Sequence, residues 1–561
     1  MSFRKFLYLP HILNPQEKRL ILFLIFIILL GGIGIFTSLY IKFTVPVPKI
    51  GKTYVEGMLK EPRTINPLYA AQDADRDLAR LVYAGLFTYS GEGKIVPDLA
   101  EKYEVGSDSK SYTVTLRKDI FWHDGQKVNA DDVIFTVKTV QNPQYKSIIR
   151  ANWQGVEIEK LNQDTIRFTL RAPYAPFLEN LTLGILPKHL WENIGPEQAL
   201  LHELNLKPVG SGPYKFYSFK QVADGSILWY ELTRNSKYHR EGPYLEKITF
   251  VFFKNEGELF TALSRGSIDG FGPISSIKLP ELDQNKISVR TLQISRLFSI
   301  FFNEKKTPIL TDKKIRQALE QAIDKIELAK MATGGAIPAY SPLPFLASEI
   351  INQIVYSPEK ARMTLEKAGW KNGNNGIREK KIKEKGKENM VPLRFKLVTI
   401  DTPELLRTAD LIKNMLREVG VDIEIEKKSF SDLETKVLRP RDFEILLFGQ
   451  VYGFEADPFA FWHSSQIKDP GLNVALYSNK KVDQILEETR RIADPTLRKK
   501  KYEEFSRLIL ADTPAIFLYS QLYSYLLPTD IMGVNLGKIS LPADRFNEIN
   551  TWYRTTKRVF K

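Results

Sequence analysis

The segment Ser111–Val137 reads SYTVTLRKDIFWHDGQKVNADDVIFTV. Apolar and polar residues alternate in its first part, and the apolar ones are Tyr112, Val114 and Leu116. This alternation predicts a strand with one buried face. Further along, Asn129 and the pair Asp131-Asp132 precede an apolar run, as is typical of a capped helix N-terminus. One short segment therefore predicts both a strand and a helix.

The same signals recur outward from this segment. Four further strands are predicted by apolar faces at Ile166, Phe168 and Leu170; Ile248, Phe250 and Phe252; Leu393, Phe395 and Leu397; and Val421, Ile423 and Ile425. Helix starts are indicated where a capping oxygen precedes a proline, at Ser357-Pro358, Thr402-Pro403 and Asp494-Pro495. Strands mixed with helices over so long a chain predict an α/β protein.

Length and composition set the broad class. The chain has 561 residues, of which 43% are hydrophobic and 26% charged, and a net charge of +14. Single cores stop growing near about 250–300 residues, so we expect a globular body with more than one lobe. The chain has no cysteine, which excludes disulfides, cysteine nucleophiles and thiolate metal sites.

One stretch is long and apolar enough to cross a bilayer. Residues 20–41 read LILFLIFIILLGGIGIFTSLYI, close to the roughly 20 residues that a membrane-spanning helix needs. No small-residue cleavage site follows, so we interpret the stretch as an uncleaved transmembrane anchor, with a buried core helix as the alternative. Residues 1–19 would then be a short cytoplasmic tail. Residues 42–52, which include Pro46 and Pro48, would be a stiff spacer.

A polar, lysine-rich segment spans residues 371–390 and reads KNGNNGIREKKIKEKGKENM. Such a basic patch can bind nucleic acid or another anionic surface. The segment has no aromatic residue for stacking on bases, which favours a solvated surface insertion instead. We therefore expect no nucleic-acid partner.

Motifs of catalytic and metal sites are incomplete. Gly51-Lys52-Thr53 lacks the upstream glycine of a phosphate-binding loop, and Ser107 and Ser357 fit S-x-x-K without the companion motifs of serine acylases. The six histidines are scattered without the spacing of metal ligands. The residues thus predict a membrane-tethered α/β protein without recognisable catalytic motifs, and they predict neither a metal site nor another cofactor.

An aromatic cluster is the most suggestive feature of the second half. The segment GQVYGFEADPFAFWHSS contains Tyr452, Phe454, Phe459, Phe461 and Trp462. Aromatic side chains beside glycines are typical of an apolar ligand cleft, because glycine lets the backbone approach a ligand closely. A core-packed loop has the same composition, and the two interpretations stay open at this point.

Several segments together resemble the extracytoplasmic peptide/nickel family of solute-binding proteins of ABC transporters. They run in order along the chain: EPRTINPLY (61–69), LVYAGLFTY (81–89), IVPDLAEKYEV (95–105), Ser111–Val137, VGSGPYKF (209–216), ELTRNSKYHREGPYLEKITF (231–250), FFNEKKTPILTDKKIRQALEQAID (301–324) and a C-terminal stretch from Tyr477 to Tyr519. The resemblance covers nearly the whole body after the anchor.

The resemblance implies a two-lobed periplasmic-binding-protein-like fold with an extra subdomain, in addition to the single N-terminal transmembrane helix. Lobe I would comprise residues 53–92, 205–290 and 515–561, and its subdomain residues 93–204. Lobe II would comprise residues 291–514, including the basic insertion. The lobes of such proteins close over a solute by a hinge motion.

The resemblance also implies where a ligand would lie. Peptide-binding members hold the peptide as an added strand, and the corresponding stretches here are Ala71-Gln72-Asp73 and Tyr452-Gly453-Phe454. Asn303 and Trp462 complete the expected binding set. The aspartate that meets the peptide's amino group in the family falls at Gly453 or Phe454 in this chain, and Glu455 lies close enough to replace it. If Glu455 does not replace it, we expect a blocked peptide, a glycan fragment or another solute instead of a peptide with a free amino group.

The function implied is that of a membrane-anchored, non-enzymatic binding subunit of an ABC importer. Its partners would be a peptide or related small solute, a permease, and the cell membrane through the N-terminal helix, with a monomeric soluble domain outside the cytoplasm. Two alternatives stay open: an anchored cell-wall hydrolase, and a surface-interaction protein that keeps the fold without transport.

Overall fold

The computed structural model describes residues 14–273, 283, 285–333, 335–343, 346, 355–373, 375–384, 387–454, 457–492 and 494–561. In this part of the chain the α-helices are Pro15–Phe43, Asp73–Val82, Ala130–Gln141, Phe177–Asn180, Lys188–Trp191, Pro196–Ala199, Glu256–Ser264, Lys313–Gln321, Lys325–Thr333, Pro358–Lys367, Pro403–Glu418, Phe430–Asp432, Phe459–Trp462, Lys480–Arg491 and Pro495–Asp512.

Three of the predicted helix starts carry side-chain caps. Asn129 accepts a hydrogen bond from the Asp131 amide, Ser357 accepts one from the Lys360 amide, and Asp494 accepts bonds from the following turn. Thr402 holds the N-cap position of Pro403–Glu418 without a side-chain hydrogen bond, so proline and backbone geometry alone begin that helix.

A single sheet of eleven strands runs through the molecule. Its strands lie in the order Asp422–Lys428, Arg394–Ile400, Ile445–Val451, Ile287–Phe302, Ala515–Pro528, Gly270–Phe271, Thr53–Leu59, Lys247–Phe253, Ile227–Arg234 and Tyr214–Gln221, with Ile337–Pro338 added beside Ala515–Pro528. The two long antiparallel strands in the middle, Ile287–Phe302 and Ala515–Pro528, are called here the crossover strands.

The crossover strands join the hydrophobic cores of two lobes. The main core of the first lobe is one cluster, which includes Leu292, Ile294, Tyr523 and Tyr525 of these strands. The core of the second lobe consists of two clusters, whose residues lie between Leu297 and Tyr519. The boundary between cores therefore crosses both strands near their middle. This arrangement confirms the predicted two-lobed α/β architecture, and the exact lobe boundaries stay a prediction.

The ladder between the crossover strands is irregular at the same place. Its register shifts between Gln293 and Leu297, and the Ser520 hydroxyl donates to the carbonyls of Ile294 and Arg296, at 3.1 Å each. An interrupted ladder bends more easily than a regular one. The break therefore coincides with the boundary between the lobes, and it is called here the hinge region.

A second sheet forms the subdomain on the first lobe. It is antiparallel and has four strands in the order Ala100–Val105, Ser111–Leu116, Thr165–Leu170 and Val156–Asn162. Ser111–Leu116 and Thr165–Leu170 bury alternate residues, as the sequence predicts. A two-stranded ribbon, Phe87–Tyr89 with Ile95–Pro97, leads into this sheet. The subdomain shares the hydrophobic core of the first lobe.

The basic insertion is folded. Its strands Lys371–Asn372, Arg378–Glu384 and Lys387–Pro392 form an antiparallel sheet. Arg378 is 2% exposed and donates to the carbonyls of Val419 and Trp370, at 2.9 Å each. The predicted solvated insertion thus forms a small sheet with exposed lysines. Hydrogen bonds from the buried Arg378 hold this sheet on the second lobe.

The predicted stiff spacer is a strand. Thr44–Lys49 pairs antiparallel with Thr555–Phe560, with Pro46 opposite Arg558 and Pro48 opposite Thr556. Prolines two residues apart turn their ring nitrogens to the same side of a strand, so both can face the open edge of this two-stranded ribbon. The helix before it, Pro15–Phe43, is long and apolar enough to cross a membrane, and none of its residues is buried.

A buried polar network ties the first lobe to the C-terminal part of the chain. Arg545 is 2% exposed and contacts Glu56 at 2.8 Å and Asp77 at 2.5 Å. The hydroxyls of Tyr54 and Tyr525 donate to the other oxygen of Glu56, at 2.7 Å each. One guanidinium thus serves two carboxylates in the core.

This network makes stability depend on pH. Burial raises the pKa of Asp77 to about 6, although Arg545 favours its ionised form. Since the folded state holds this proton more tightly than the unfolded chain, stability rises as pH falls through about 6. We expect the free energy of unfolding to be about 1 kcal/mol higher at about pH 5 than at about pH 7 for this group alone. Denaturant titrations should show a flatter pH dependence in Asp77→Asn, and an unchanged slope would contradict the assignment.

Candidate functional site

The carboxyl ends of strands from both lobes face each other across the hinge. In the second lobe, Arg394–Ile400 and Ile445–Val451 run parallel, and the latter is antiparallel to the first crossover strand. In the first lobe, Thr53–Leu59 and Lys247–Phe253 run parallel toward the second lobe. Ligands of α/β proteins bind at the carboxyl ends of strands. The interlobe space is therefore the candidate site.

The larger cavity of this cleft has a volume of about 730 Å³. Both lobes and both crossover strands line it, with Leu59, Glu256 and Pro273 from the first lobe; Thr402, Glu404, Arg407, Phe430, Phe448, Gly449 and Val451 from the second; and Arg296, Phe298, Gln521, Leu522 and Ser524 from the crossover strands. A solute bound here would contact both lobes at once.

Charged groups of both signs line the larger cavity. Glu404, in the first turn of Pro403–Glu418, accepts hydrogen bonds from the Tyr519 hydroxyl at 3.3 Å and the Gln521 amide at 3.1 Å. The Arg296 guanidinium donates to the side-chain oxygen Oε1 of Gln521, at 3.3 Å. Burial raises the pKa of Glu404, while the Tyr519 hydrogen bond and the charges of Arg296 and Arg407 oppose that shift.

These groups can hold a ligand that carries both charges. A guanidinium recognises a carboxylate through paired N–H donors, and a half-buried carboxylate recognises an ammonium group. Arg296 and Arg407 are suited to the first task and Glu404 to the second. Phe298, Phe430 and Phe448 supply apolar surface in the same cavity.

A second cavity of about 380 Å³ lies between the first lobe, its subdomain and the loop after Ile445–Val451. Its charged lining residues are Arg76, Arg80, Asp98, Glu179, Arg240 and Asp544. Several are already paired, since Arg80 contacts Asp544 at 3.2 Å and Asp98 contacts His239 at 2.7 Å. Gly453 and Phe454 line it from the second lobe.

Contacts across the cleft hold the lobes together beside this second cavity. The Phe454 ring stacks on Tyr89 of the first lobe, with centroids 4.0 Å apart. The Tyr452 amide donates to the Ser295 carbonyl at the hinge, and its carbonyl accepts from the Ser540 hydroxyl. The loop that follows the strand therefore bridges both lobes.

A further bridge joins the second lobe to the subdomain. Arg490 contacts Asp457 at 2.6 Å, and its guanidinium lies over the Tyr174 ring. The Arg490 carbonyl accepts a hydrogen bond from the Ala175 amide at 2.8 Å. Tyr174 also donates to Asp457 at 3.4 Å. The contacts to Tyr174 and Ala175 would have to break for this side of the cleft to open, whereas the Arg490–Asp457 pair lies within the second lobe.

Gly453 lies against a carboxylate of the subdomain. A Cβ atom added at Gly453 would be 2.8 Å from Oε2 of Glu179. An aspartate at this position would meet Glu179 both sterically and as a like charge. Glu179 also bonds to Tyr89, and burial together with this carboxylate raises the pKa of Tyr89. The subdomain thus supplies the carboxylate of Glu179 close to Gly453, one of the two positions at which the family resemblance places the aspartate.

The expected stretch at residues 71–73 is no strand in this structure. Gln72 is the N-cap of Asp73–Val82, Ala71 and Asp73 are exposed, and Asp73 contacts Arg76 at 3.7 Å. The neighbouring Ala70 lines the second cavity. The stretch therefore lies at the rim of the cleft, beside a helix start.

The stretch at residues 452–454 reaches the cleft only in part. Gly453 and Phe454 line the second cavity, whereas Tyr452 is 1% exposed and packs in the second lobe. Glu455, the expected replacement for the family's aspartate, lies outside the described residues. Its role stays a prediction.

Two expected binding residues line neither of the two cleft cavities. Trp462 is fully buried and packs edge-on against Tyr477, Phe505 and Phe517. Asn303 follows the first crossover strand, about 23 Å of extended chain beyond Arg296, and its side chain donates to the Arg441 carbonyl. Both are core or turn residues of the second lobe, because their side chains find partners inside it.

The charged residues of the larger cavity were missed by the sequence analysis. Glu404 follows a predicted helix start directly after a predicted strand, which is a readable signal for a polar residue at a strand's carboxyl end. Arg296 and Gln521 come from the two crossover strands, more than 200 residues apart, and nothing local marks them. In the described part of the chain, no group of three or more His, Asp or Glu residues could hold a metal ion.

Comparisons with known proteins agree with this geometry. The model of the family described as bacterial extracellular solute-binding proteins, family 5 Middle, matches residues 94–470. The chain is 29% identical over 500 residues to the oligopeptide-binding protein AppA of Bacillus subtilis (strain 168), covering 87% of this chain and 89% of that one.

Two solved structures illustrate the likeness. The structure of Bacillus subtilis AppA in complex with a nonapeptide matches with a TM-score of 0.73 at 27% identity, over 91% of this chain and 100% of that one. NikZ from Campylobacter jejuni in complex with Ni(L-His) matches with a TM-score of 0.73 at 28% identity, over 90% of this chain and 100% of that one.

Proposed function

Because this chain belongs to the family-5 bacterial extracellular solute-binding proteins, we propose that it captures peptides in the interlobe cleft and delivers them to the permease of an ABC importer. The family prediction made from the sequence is confirmed. The chain is a solute-binding protein of the peptide/nickel group. The finer statement, that its solute is a peptide, draws on the relatives that bind peptides and on the cleft.

One observation carries the choice of a peptide. The larger cavity offers Arg296 and Arg407 together with Glu404, and apolar side chains line the same cavity. A free peptide has an ammonium group, a carboxylate and apolar side chains, so it matches this set. The volume of this cavity, about 730 Å³, lies within the ordinary range of ligand pockets.

We also propose that the helix Pro15–Phe43 anchors the protein, as a monomer, in the cell membrane with the lobes outside the cytoplasm. The helix is exposed along its whole length, and its C-terminal end contacts the body through Arg558 and Phe560. An anchor keeps the binding protein close to its permease and so raises the effective concentration for delivery.

The ligand can be identified directly. The full chain, purified gently in detergent, is denatured and the released small molecules are identified by mass spectrometry. We expect a mixture of peptides. Recovery of one chelated metal, as in the NikZ complex, would replace the proposed substrate. Recovery of one non-peptide compound would also replace it. A protein of another fold, purified in the same detergent, serves as the control.

Binding should close the lobes. The chain has no cysteine, so nitroxides can be placed at Lys254→Cys in the first lobe and at the exposed Lys436→Cys in the second without background. We expect pulsed electron paramagnetic resonance to show a shortening of more than about 2 Å on addition of the released peptides. The pair Arg394→Cys and Lys436→Cys, within the second lobe, should keep its distance. An unchanged interlobe distance would contradict closure.

A further inference from the structure

The apolar helix passes directly into a ribbon on the body. Pro15–Phe43 ends where the strand Thr44–Lys49 begins, and that strand pairs over its whole length with Thr555–Phe560. We call these two strands the basic ribbon. A helix continued by a paired strand cannot swivel as a helix on a free linker does.

The second strand of the ribbon also holds the end of the helix. Arg558 donates to the carbonyls of Ile41 and Thr44, at 3.0 and 2.9 Å. The Lys561 amide donates to the Phe43 carbonyl at 2.9 Å. The last carbonyls of a helix have no partner within it. Here the body of the protein supplies the partners, which fixes the helix to the first lobe.

Aromatic and basic side chains gather at this junction. Phe560 is 77% exposed and lies edge-on to Tyr40, with centroids 6.4 Å apart. Phe43 is exposed beside them. Tyrosine concentrates at the level of the lipid headgroups, and the exposed phenylalanines beside Tyr40 add apolar surface at the same level.

The charge at the junction has one sign. Residues 42–52 and 555–561 contain Lys42, Lys49, Lys52, Lys557, Arg558 and Lys561, and no aspartate or glutamate. Lys557 and Lys561 are exposed on the ribbon. A bilayer surface that contains anionic lipids attracts such residues over a distance of about one Debye length.

We propose that the basic ribbon is a docking surface for anionic phospholipid headgroups of the bilayer that holds the helix. Phe560, Tyr40 and Phe43 enter the headgroup region, and the lysines contact the phosphates. The first lobe is thereby held on the membrane in one orientation. This inference rests on the proposed anchoring and is independent of the solute.

Single-cysteine labelling tests the position of the ribbon. The full chain carrying Phe560→Cys is labelled with bimane and reconstituted in vesicles of equal parts phosphatidylcholine and phosphatidylglycerol that contain a headgroup-spin-labelled lipid. We expect strong quenching of the bimane at position 560. Leu201→Cys, on the subdomain and 89% exposed, should show none.

The outcomes separate this inference from the anchoring itself. Protein that fails to float with the vesicles contradicts the anchor. Protein that floats while position 560 stays unquenched leaves the anchor in place and overturns docking of the ribbon.

A charge variant tests the chemistry of the contact. Each lysine near an anionic surface contributes about fivefold to surface partitioning. Quenching should therefore increase when phosphatidylglycerol is added to phosphatidylcholine. The variant with Lys557→Gln and Lys561→Gln, which keeps the paired backbone, should lose most of this increase. Equal quenching of the bimane in both lipid mixtures, measured on the protein that keeps both lysines, would overturn recognition of anionic headgroups.

Discussion

Replacing Arg545 by methionine is expected to lower the free energy of unfolding by about 3–5 kcal/mol, because it leaves Glu56 and Asp77 buried without their counter-ion. Both carboxylates are completely enclosed, and Arg545 is the cation that contacts them. Methionine fills much of the volume of the arginine stem, so the loss reports charge more than packing. Denaturant unfolding followed by circular dichroism measures it.

A matched variant separates the charge effect from a packing defect. Combining Arg545→Met with Glu56→Gln and Asp77→Asn removes the stranded charges and should recover most of the lost stability, since a neutral network of similar shape can replace a buried ion pair. If Arg545→Met alone costs less than about 1 kcal/mol, or the triple variant is no better than the single one, the network does not act as described.

The second large effect concerns ligand binding. Replacing Arg296 and Arg407 together by methionine is expected to weaken the binding of a peptide with a free C-terminus by about 10–100-fold. Each charge-assisted hydrogen bond contributes roughly 1.5–3 kcal/mol, and each 1.4 kcal/mol is tenfold in affinity. Isothermal titration calorimetry with a synthetic copy of a peptide released from the protein gives the number.

The control lies in the ligand. The same peptide with an amidated C-terminus lacks the carboxylate, so the double variant should bind it about as well as the unchanged protein does. An equal loss for both peptides would indicate a damaged cavity, and no loss for either would place the carboxylate elsewhere. Far-ultraviolet circular dichroism and the melting temperature verify that the variant is folded.

Local sequence signals predicted most of the fold. The alternation around Tyr112 and Phe168 and the cap at Asn129 are set by neighbours within a few residues, so they can be read without the structure. The strand pairing of Thr44–Lys49 could not be read in this way. Its partner lies more than 500 residues along the chain, and its two prolines are typical of a free spacer.

The candidate site was predicted less completely than the fold. The sequence left open whether the aromatic segment around Tyr452 lines a ligand cleft or packs in the core. Each interpretation holds for part of it, since Phe454 lies in the cleft and Trp462 in the core. Arg296, Glu404 and Gln521 meet only after two strands and a helix have been brought together. Such a group of residues has no characteristic spacing in the sequence, so a motif search does not find it. A family resemblance predicts it only where the residue types match.

The shared crossover strands also limit how cargo can be released. Because these strands stay paired on both sides of the break near Ser295, a permease that opens the cleft has to bend this strand pair and to break the separate contacts across the cleft, such as the stacking of Phe454 on Tyr89. We therefore expect repeated rounds of loading and unloading to proceed without local unfolding of the middle of the molecule.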